Sequence, residues 1–382
     1  MSTIKRYYED CHLERFTAQV TGCEETPKGY RITLDATAFY PEGGGQACDT
    51  GTLGQATVLD VREQDDEIIH LCDRPLPVNG IVEGRLHWDK RFDLMQQHTG
   101  EHIVSGIIHR LYGYHNVGFH IGADMVTIDF DGPIPPEALN EIEQEANTSV
   151  WKNLPVHCWY PTEAELTQVP YRKKRELPWP VRIVQIPDID SCACCGVHVA
   201  NTGEVGLIKL FSCVKFHQGV RIEMACGSRA LTYLSRVYAQ NKLVSQSFSA
   251  KLLETGDAAL RMNESLAAEK FRAAGLQKRL FSAIAQGYAG QENVLHFEAA
   301  LSPAGIRELA ETIADNISGV AAVFSGEGQI YHVCLTGRNA DVKELGSRMA
   351  KALNGRGGGK PGFFQGTVQA GKSEICAFFS WE

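Results

Sequence analysis

His98 and His102 lie four residues apart in the stretch Leu94 to His109, where Leu94, Ile103, Ile107 and Ile108 recur at helical spacing. Residues i and i+4 of a helix share a face. The two imidazoles can therefore hold one ion, and neutral imidazole is a good zinc ligand. Such pairs also occur on plain surface helices, so this one needs partners. Far downstream, residues 192–198 read Cys-Ala-Cys-Cys-Gly-Val-His and offer Cys194 and His198, with Cys192 and Cys195 as spare thiols. Buried, inert cysteines are the ordinary reading of core thiols, but this density of Cys and His in one turn is unusual for a plain core. One thiolate and three imidazoles form the tetrahedral N/S set that zinc prefers. His98, His102, Cys194 and His198 are the candidate ligands, and Zn²⁺ is the expected cofactor.

Further motifs carry weaker signals. Thr37-Ala-Phe-Tyr-Pro-Glu-Gly43-Gly44-Gly45-Gln46 holds three consecutive glycines, which leave backbone amides open to a ligand or simply make a tight loop. His98-Thr-Gly-Glu101-His102 fits the inverted zinc-protease signature, with Glu101 as general base and a downstream carboxylate such as Glu176 as third ligand. That assignment leaves Cys194 and His198 without employment. Gly366-Thr-Val-Gln-Ala-Gly371-Lys372-Ser373 satisfies the P-loop pattern letter for letter. A phosphate loop must open a helix after a strand, whereas residues 374–379 read as a strand. The P-loop reading is rejected on that ground. Arg172-Lys173-Lys174-Arg175 is a local basic run, either a solvated loop or a contact for an acidic partner.

The elements that must position these groups follow from the pattern. The 382 residues allow two or three domains; 43% hydrophobic and 22% charged residues describe an ordinary globular chain with no apolar run of membrane-spanning length. Twelve cysteines without framework spacing, and a start lacking a signal-peptide core, lead us to expect reduced thiols and a cytoplasmic location. A net charge of −9 argues against coating nucleic acid non-specifically. Residues 1–88 read as a small β-barrel domain carrying the glycine motif, and 89–234 as an α+β domain carrying the zinc ligands. Residues 235–288 read as a long helical arm, and 289–382 as a small α/β domain. The class is α+β.

Taken in order, the Thr37–Gln46 motif, His98-x-x-x-His102, Cys194-x-x-x-His198 with Thr202-Gly203, and Arg221-Ile222-Glu223 resemble the editing domain of alanyl-tRNA synthetase. They are closer still to the free-standing alanyl-tRNA editing proteins. The resemblance covers residues 1 to about 234. The helical arm and the Gly355–Pro361 region resemble the synthetase's C-terminal domain, found in the long form of these proteins. Cys195-Gly196-Val197 stands where many synthetases have Gly-Gly-Thr.

The resemblance implies zinc on His98, His102, Cys194 and His198, and hydrolysis of the ester joining serine, or glycine, to alanine tRNA. Thr37, Gly43, Gly44, Gly45, Gln46 and Arg221 would lie near the substrate. Glu101 is a candidate base, and Arg172, Lys173, Lys174 and Arg175 are candidate tRNA contacts. Zinc would polarise the ester or activate water, or would only position the substrate beside the glycine amides. An alanine pocket cannot strongly reject a substrate bearing one extra hydroxyl, so a second, hydrolytic site is needed. A homodimer through the C-terminal region is expected. A zinc protease and a non-enzymatic tRNA-binding protein with structural zinc are the alternatives.

Overall fold

Along Arg15–Val20 the side chains alternate strictly between exposed and buried, the pattern of a strand with one face on a core. This strand belongs to an N-terminal set in the computed structural model, which describes residues 2–173, 179–338 and 341–381. The set comprises β1 (Ile4–Lys5), β2 (Arg15–Thr26), β3 (Gly29–Leu34), β4 (Ala36–Thr37), β5 (Gly51–Leu53), β6 (Ala56–Gln64), β7 (Glu67–Cys72) and β8 (Ile81–Leu86). Six of them pair antiparallel in the closed cycle β2-β3-β7-β6-β5-β8. Closure leaves no bare strand edge. Val20, Ile32, Leu53, Val61 and Ile68 fill its interior, and β1 pairs with β4 beside it.

Helix α1 (Trp88–Tyr112) follows, and its interior is buried without a break from Leu94 to Ile108. A core helix normally carries apolar residues, yet this one brings in Gln96, Gln97, His98, Thr99, Glu101, His102 and Ser105. Buried polar groups must be hydrogen-bonded to be tolerated. Gln97 meets this demand by donating to Cys226 O at 3.0 Å and accepting from Cys226 N at 2.8 Å.

Around α1 lie β9 (Asn116–Ile121), β10 (Val126–Phe130), α2 (Leu139–Trp151), β11 (His157–Trp159), α3 (Glu163–Leu166), β12 (Ile183–Ile186), β13 (Asp190–Ala193), β14 (Ile208–Phe216) and β15 (Gly219–Cys226). The strands form a four-stranded sheet β14-β15-β10-β9 and a three-stranded sheet β11-β12-β13. Met95, Ile103, Val104 and Ile107 of α1 join Ile128, Ile142 and Ile222 in one core.

The chain divides into two units, Met1–Leu243 and Val244–Glu382. The segment read as a helical arm or hairpin holds two helices, α4 (Gly227–Phe248) and α5 (Thr255–Gln286). They are separated where Ser249 takes φ +50° and Ser245 Oγ donates to Ala250 O at 2.6 Å. Beyond them come β16 (Val294–Glu298), α6 (Pro303–Ala314), β17 (Val320–Glu327), β18 (Ile330–Gly337), α7 (Val342–Ala352), β19 (Arg356–Lys360), β20 (Phe363–Gln369) and α8 (Lys372–Phe378). Their sheet runs β16-β17-β18-β20-β19. Ala321 and Val323 of β17 face a core shared with α5 and α6, whereas Val320, Ala322 and Phe324 face one shared with α7 and α8. A sheet covered on both faces explains the continuous apolar run.

One expected element is corrected. Residues 374–379, read as a strand, lie mostly in α8. Glu374 Oε2 accepts from Gly371 N–H at 2.7 Å at the helix start, and Ile375 and Phe379, one turn apart, are buried. Packing overrode the β preference of Ile and Phe. The P-loop reading still fails, for a different reason: Gly366 and Thr367 are strand residues paired with Val333 and His332, so no phosphate cradle forms. No described helix is long and apolar enough to cross a membrane.

Candidate metal centre

α1 projects His98 and His102 from one face, and the turn after β13 brings Cys194 and His198 to them. The donor atoms of these four side chains lie within 4.8 Å of one another. His98 Nε2 and Cys194 Sγ are 3.4 Å apart, close to the separation of about 3.5 Å that a tetrahedral ion imposes with metal–sulfur near 2.3 Å and metal–nitrogen near 2.0 Å.

Each imidazole is held from behind. His98 Nδ1 lies 2.8 Å from Gln46 Oε1, which also accepts from Val197 N–H. His102 Nδ1 lies 2.9 Å from Asp190 Oδ2, and His198 Nδ1 lies 3.2 Å from Thr99 Oγ1. An acceptor at Nδ1 selects the tautomer whose Nε2 lone pair is free for a metal. His198 Nε2 is buried and has no hydrogen-bond partner among the described residues. Burial, and then His98, His102 and Arg182, hold the His198 pKa well below its ordinary value, so the ring is neutral. Burial opposes charge on His102 as well, but Asp190, Glu101 and Cys192 outweigh it and raise its pKa. An orphaned imidazole nitrogen facing a thiol and two more imidazoles fits a metal ion.

The centre opens into a cleft of ≈ 510 Å³ whose lining includes Lys5, Tyr8, Gly44, Tyr160, Trp179 and Arg182 beside His98, His102 and Cys194. Gly44 enters because the glycine strip is a hairpin turn. Gly43 and Gln46 exchange both backbone hydrogen bonds, while Gly44 and Gly45 take φ +58° and +82°. Two consecutive left-handed residues are the signature of the type I′ turn. A methyl group on Gly45 would stand 2.6 Å from Phe119 Cδ1.

The other expected site residues fall elsewhere. Thr37 is fully buried with its hydroxyl 2.9 Å from His70 Nε2, and it does not line the cleft. Glu101 is buried beside His102, with Oε2 3.9 Å from His102 Nε2, and its Oε1 accepts from Ser105 Oγ and from Asn116 Nδ2. Arg221 makes a two-pronged pair with Asp129 at 2.6 and 2.8 Å, and its guanidinium lies 3.8 Å from the centroid of the Phe216 ring.

Arg172 pairs with Asp190 at 2.7 and 2.8 Å, with its side chain 8% exposed. Lys173 is exposed, and Lys174 and Arg175, like Glu176, lie outside the described residues. Sequence reasoning missed Asp190, Thr99 and Arg182. Thr99 stands between the two histidines and Asp190 just ahead of the cysteine turn, positions that invite inspection. Nothing local marks Arg182, which lies just before β12, the strand paired with β13, and shapes that turn by donating to Cys194 O and Gly196 O.

Residues 181–223, which carry Cys194 and His198, match the family model described as the second additional domain of threonyl and alanyl tRNA synthetases. Alanyl-tRNA editing protein Aarsd1-A of Xenopus laevis is 30% identical over 93% of this chain and 89% of its own length. Alanyl-tRNA editing protein AlaX-L of Pyrococcus horikoshii is 28% identical over 97% of this chain and 95% of its own. The chain belongs to the alanyl-tRNA editing protein family.

Proposed function

We propose that this chain is a zinc-dependent trans-editing hydrolase that deacylates mischarged alanine tRNA, with Ser-tRNA(Ala) the principal substrate and Gly-tRNA(Ala) the second. The observation that carries this reading is the convergence of three imidazoles and one thiol on a cleft large enough for an aminoacyl group, in a chain of this family. Zn²⁺ held by His98, His102, Cys194 and His198 would supply Lewis acidity toward the ester. The protein's own part is orientation. Gln46, Asp190 and Thr99 aim the imidazoles, and Gly44 carries bare backbone to the cleft wall. Arg182 and Lys5 stand in the cleft wall, Lys5 paired there with Glu63.

The same reading places the protein in the cytoplasm and makes it a homodimer. Leu260, Leu266, Phe271, Leu276 and Leu280 of α5 are exposed apolar side chains, distributed around the helix, that a second copy would help to cover. The protease alternative is the weaker reading, because Glu101 is buried, its Oε1 accepts from Ser105 and Asn116, and it does not line the cleft. The test pairs metal analysis with deacylation of Ser-tRNA(Ala) by the parent and by a Cys194→Ala, His198→Ala double variant. Serine release by the zinc-loaded parent alone supports the proposal. TRNA binding without release by either protein would favour a structural zinc in a non-enzymatic binder.

A further inference from the structure

Arg172, Asp190 and His102 form a buried line that ends on the metal donors. Asp190 Oδ2 accepts from His102 Nδ1 at 2.9 Å and from Arg172 Nη2 at 2.8 Å, while Oδ1 accepts from Arg172 Nε at 2.7 Å. The three side chains are 8%, 2% and 3% exposed for Arg172, Asp190 and His102. The backbone holds them as firmly. Arg172 N–H donates to Ser191 O at 2.8 Å, and Ala193 N–H donates to Arg172 O at 2.9 Å. On the other side, a methyl group on Gly106 of α1 would stand 2.7 Å from Asp190 Cβ, so helix and strand meet without slack. The other two imidazoles differ in kind: His98 rests on the neutral amide of Gln46, and His198 on the neutral hydroxyl of Thr99.

We propose that Asp190 and Arg172 are positioning residues that make His102 the most firmly held ligand of the centre and thereby set its metal affinity. The carboxylate fixes the Nδ1–H tautomer, turns Nε2 toward the other donors and strengthens that nitrogen as a ligand. Arg172 grips both oxygens in one plane and leaves Asp190 a single orientation, a task its planar fork suits and a lysine does not. The basic run that begins at Arg172 thus starts with a cation employed inside the protein. This inference rests on the metal reading of the four donors and is independent of which ester the protein cleaves.

The test measures Zn²⁺ affinity of the full chain by competition with a fluorescent chelator, with the Co²⁺ absorption spectrum and the metal-free melting temperature beside it. Asp190→Asn is expected to weaken Zn²⁺ binding about 10- to 100-fold and to shift the Co²⁺ bands. Arg172→Lys, which keeps the charge and loses the fork, is expected to weaken binding about 3- to 10-fold. Affinities within about 2-fold of the parent, with only the melting temperature lowered, would reduce the line to a structural ion pair and overturn the proposal. If Asp190→Asn does not fold, Arg172→Lys decides by the same criterion. A parent that takes up no metal overturns the metal reading itself, and this inference with it.

Discussion

Gln46 Oε1 lies 2.8 Å from His98 Nδ1, so the end of the glycine turn and the middle of α1 meet through one amide and one imidazole. The same oxygen accepts from Val197 N–H, beside His198. Gln46→Leu removes both contacts in a buried place. It is expected to lower Zn²⁺ affinity about tenfold, read by chelator competition. An unchanged affinity would show that His98 needs no support from the turn.

The turn itself sets the second prediction. Gly45 combines φ +82° with a space that a methyl group would overfill against Phe119. Gly45→Ala is expected to cost about 1–3 kcal/mol of stability, measured by urea unfolding. It should also weaken metal binding, because Gln46 follows directly.

The barrel and α1 are tied by a buried ion pair whose loss is measurable. Arg91 is fully buried, bonds Asp49 through Nε at 3.0 Å and through Nη2, and donates to Ala38 O at 2.6 Å. Arg91→Met strands the Asp49 carboxylate, at a cost of about 3–5 kcal/mol. Arg91→Met with Asp49→Leu should recover much of that loss, since the double change leaves no lone buried charge. Chemical denaturation of the three proteins checks the order.

Acid should weaken the barrel through His70. Burial pushes its pKa down from 6.5 to about 4, against a small opposing effect of the Ile32 carbonyl. The folded state therefore refuses a proton that the unfolded state accepts. Stability contributed this way is whole above about pH 6.5 and falls by about 1.4 kcal/mol per unit down to about pH 4. Between pH 6.5 and pH 5 the parent should lose about 2 kcal/mol more than His70→Asn, by urea midpoints at the two pH values. Equal losses would assign the acid sensitivity to other groups.

The mixed α+β class was legible because periodicity is local: the alternation in β2 and the apolar spacing of α1 each need only neighbouring residues. The two donor pairs were legible for the same reason, since i and i+4 spacing marks each one, though nothing in the spacing says the pairs meet. The partners of the ring nitrogens were not legible. Asp190 reaches His102 across 88 residues and Gln46 reaches His98 across 52, and such contacts exist only once the fold is formed. The pairing of Arg172 with Asp190 was not legible either, because a run of basic residues reads as solvent-facing until one member finds a buried acid. Residues 374–379 misled because Ile and Phe favour strands unless packing, here onto the core beneath α8, decides otherwise.

The most direct test is the rate of serine release from Ser-tRNA(Ala) by the full chain, measured before chelation, after complete removal of metal, and after one equivalent of Zn²⁺ is returned. The account predicts that release falls by about 100-fold or more on stripping, and that it returns with zinc while the fold, followed by circular dichroism, persists throughout. Undiminished release by a stripped, folded protein would contradict it.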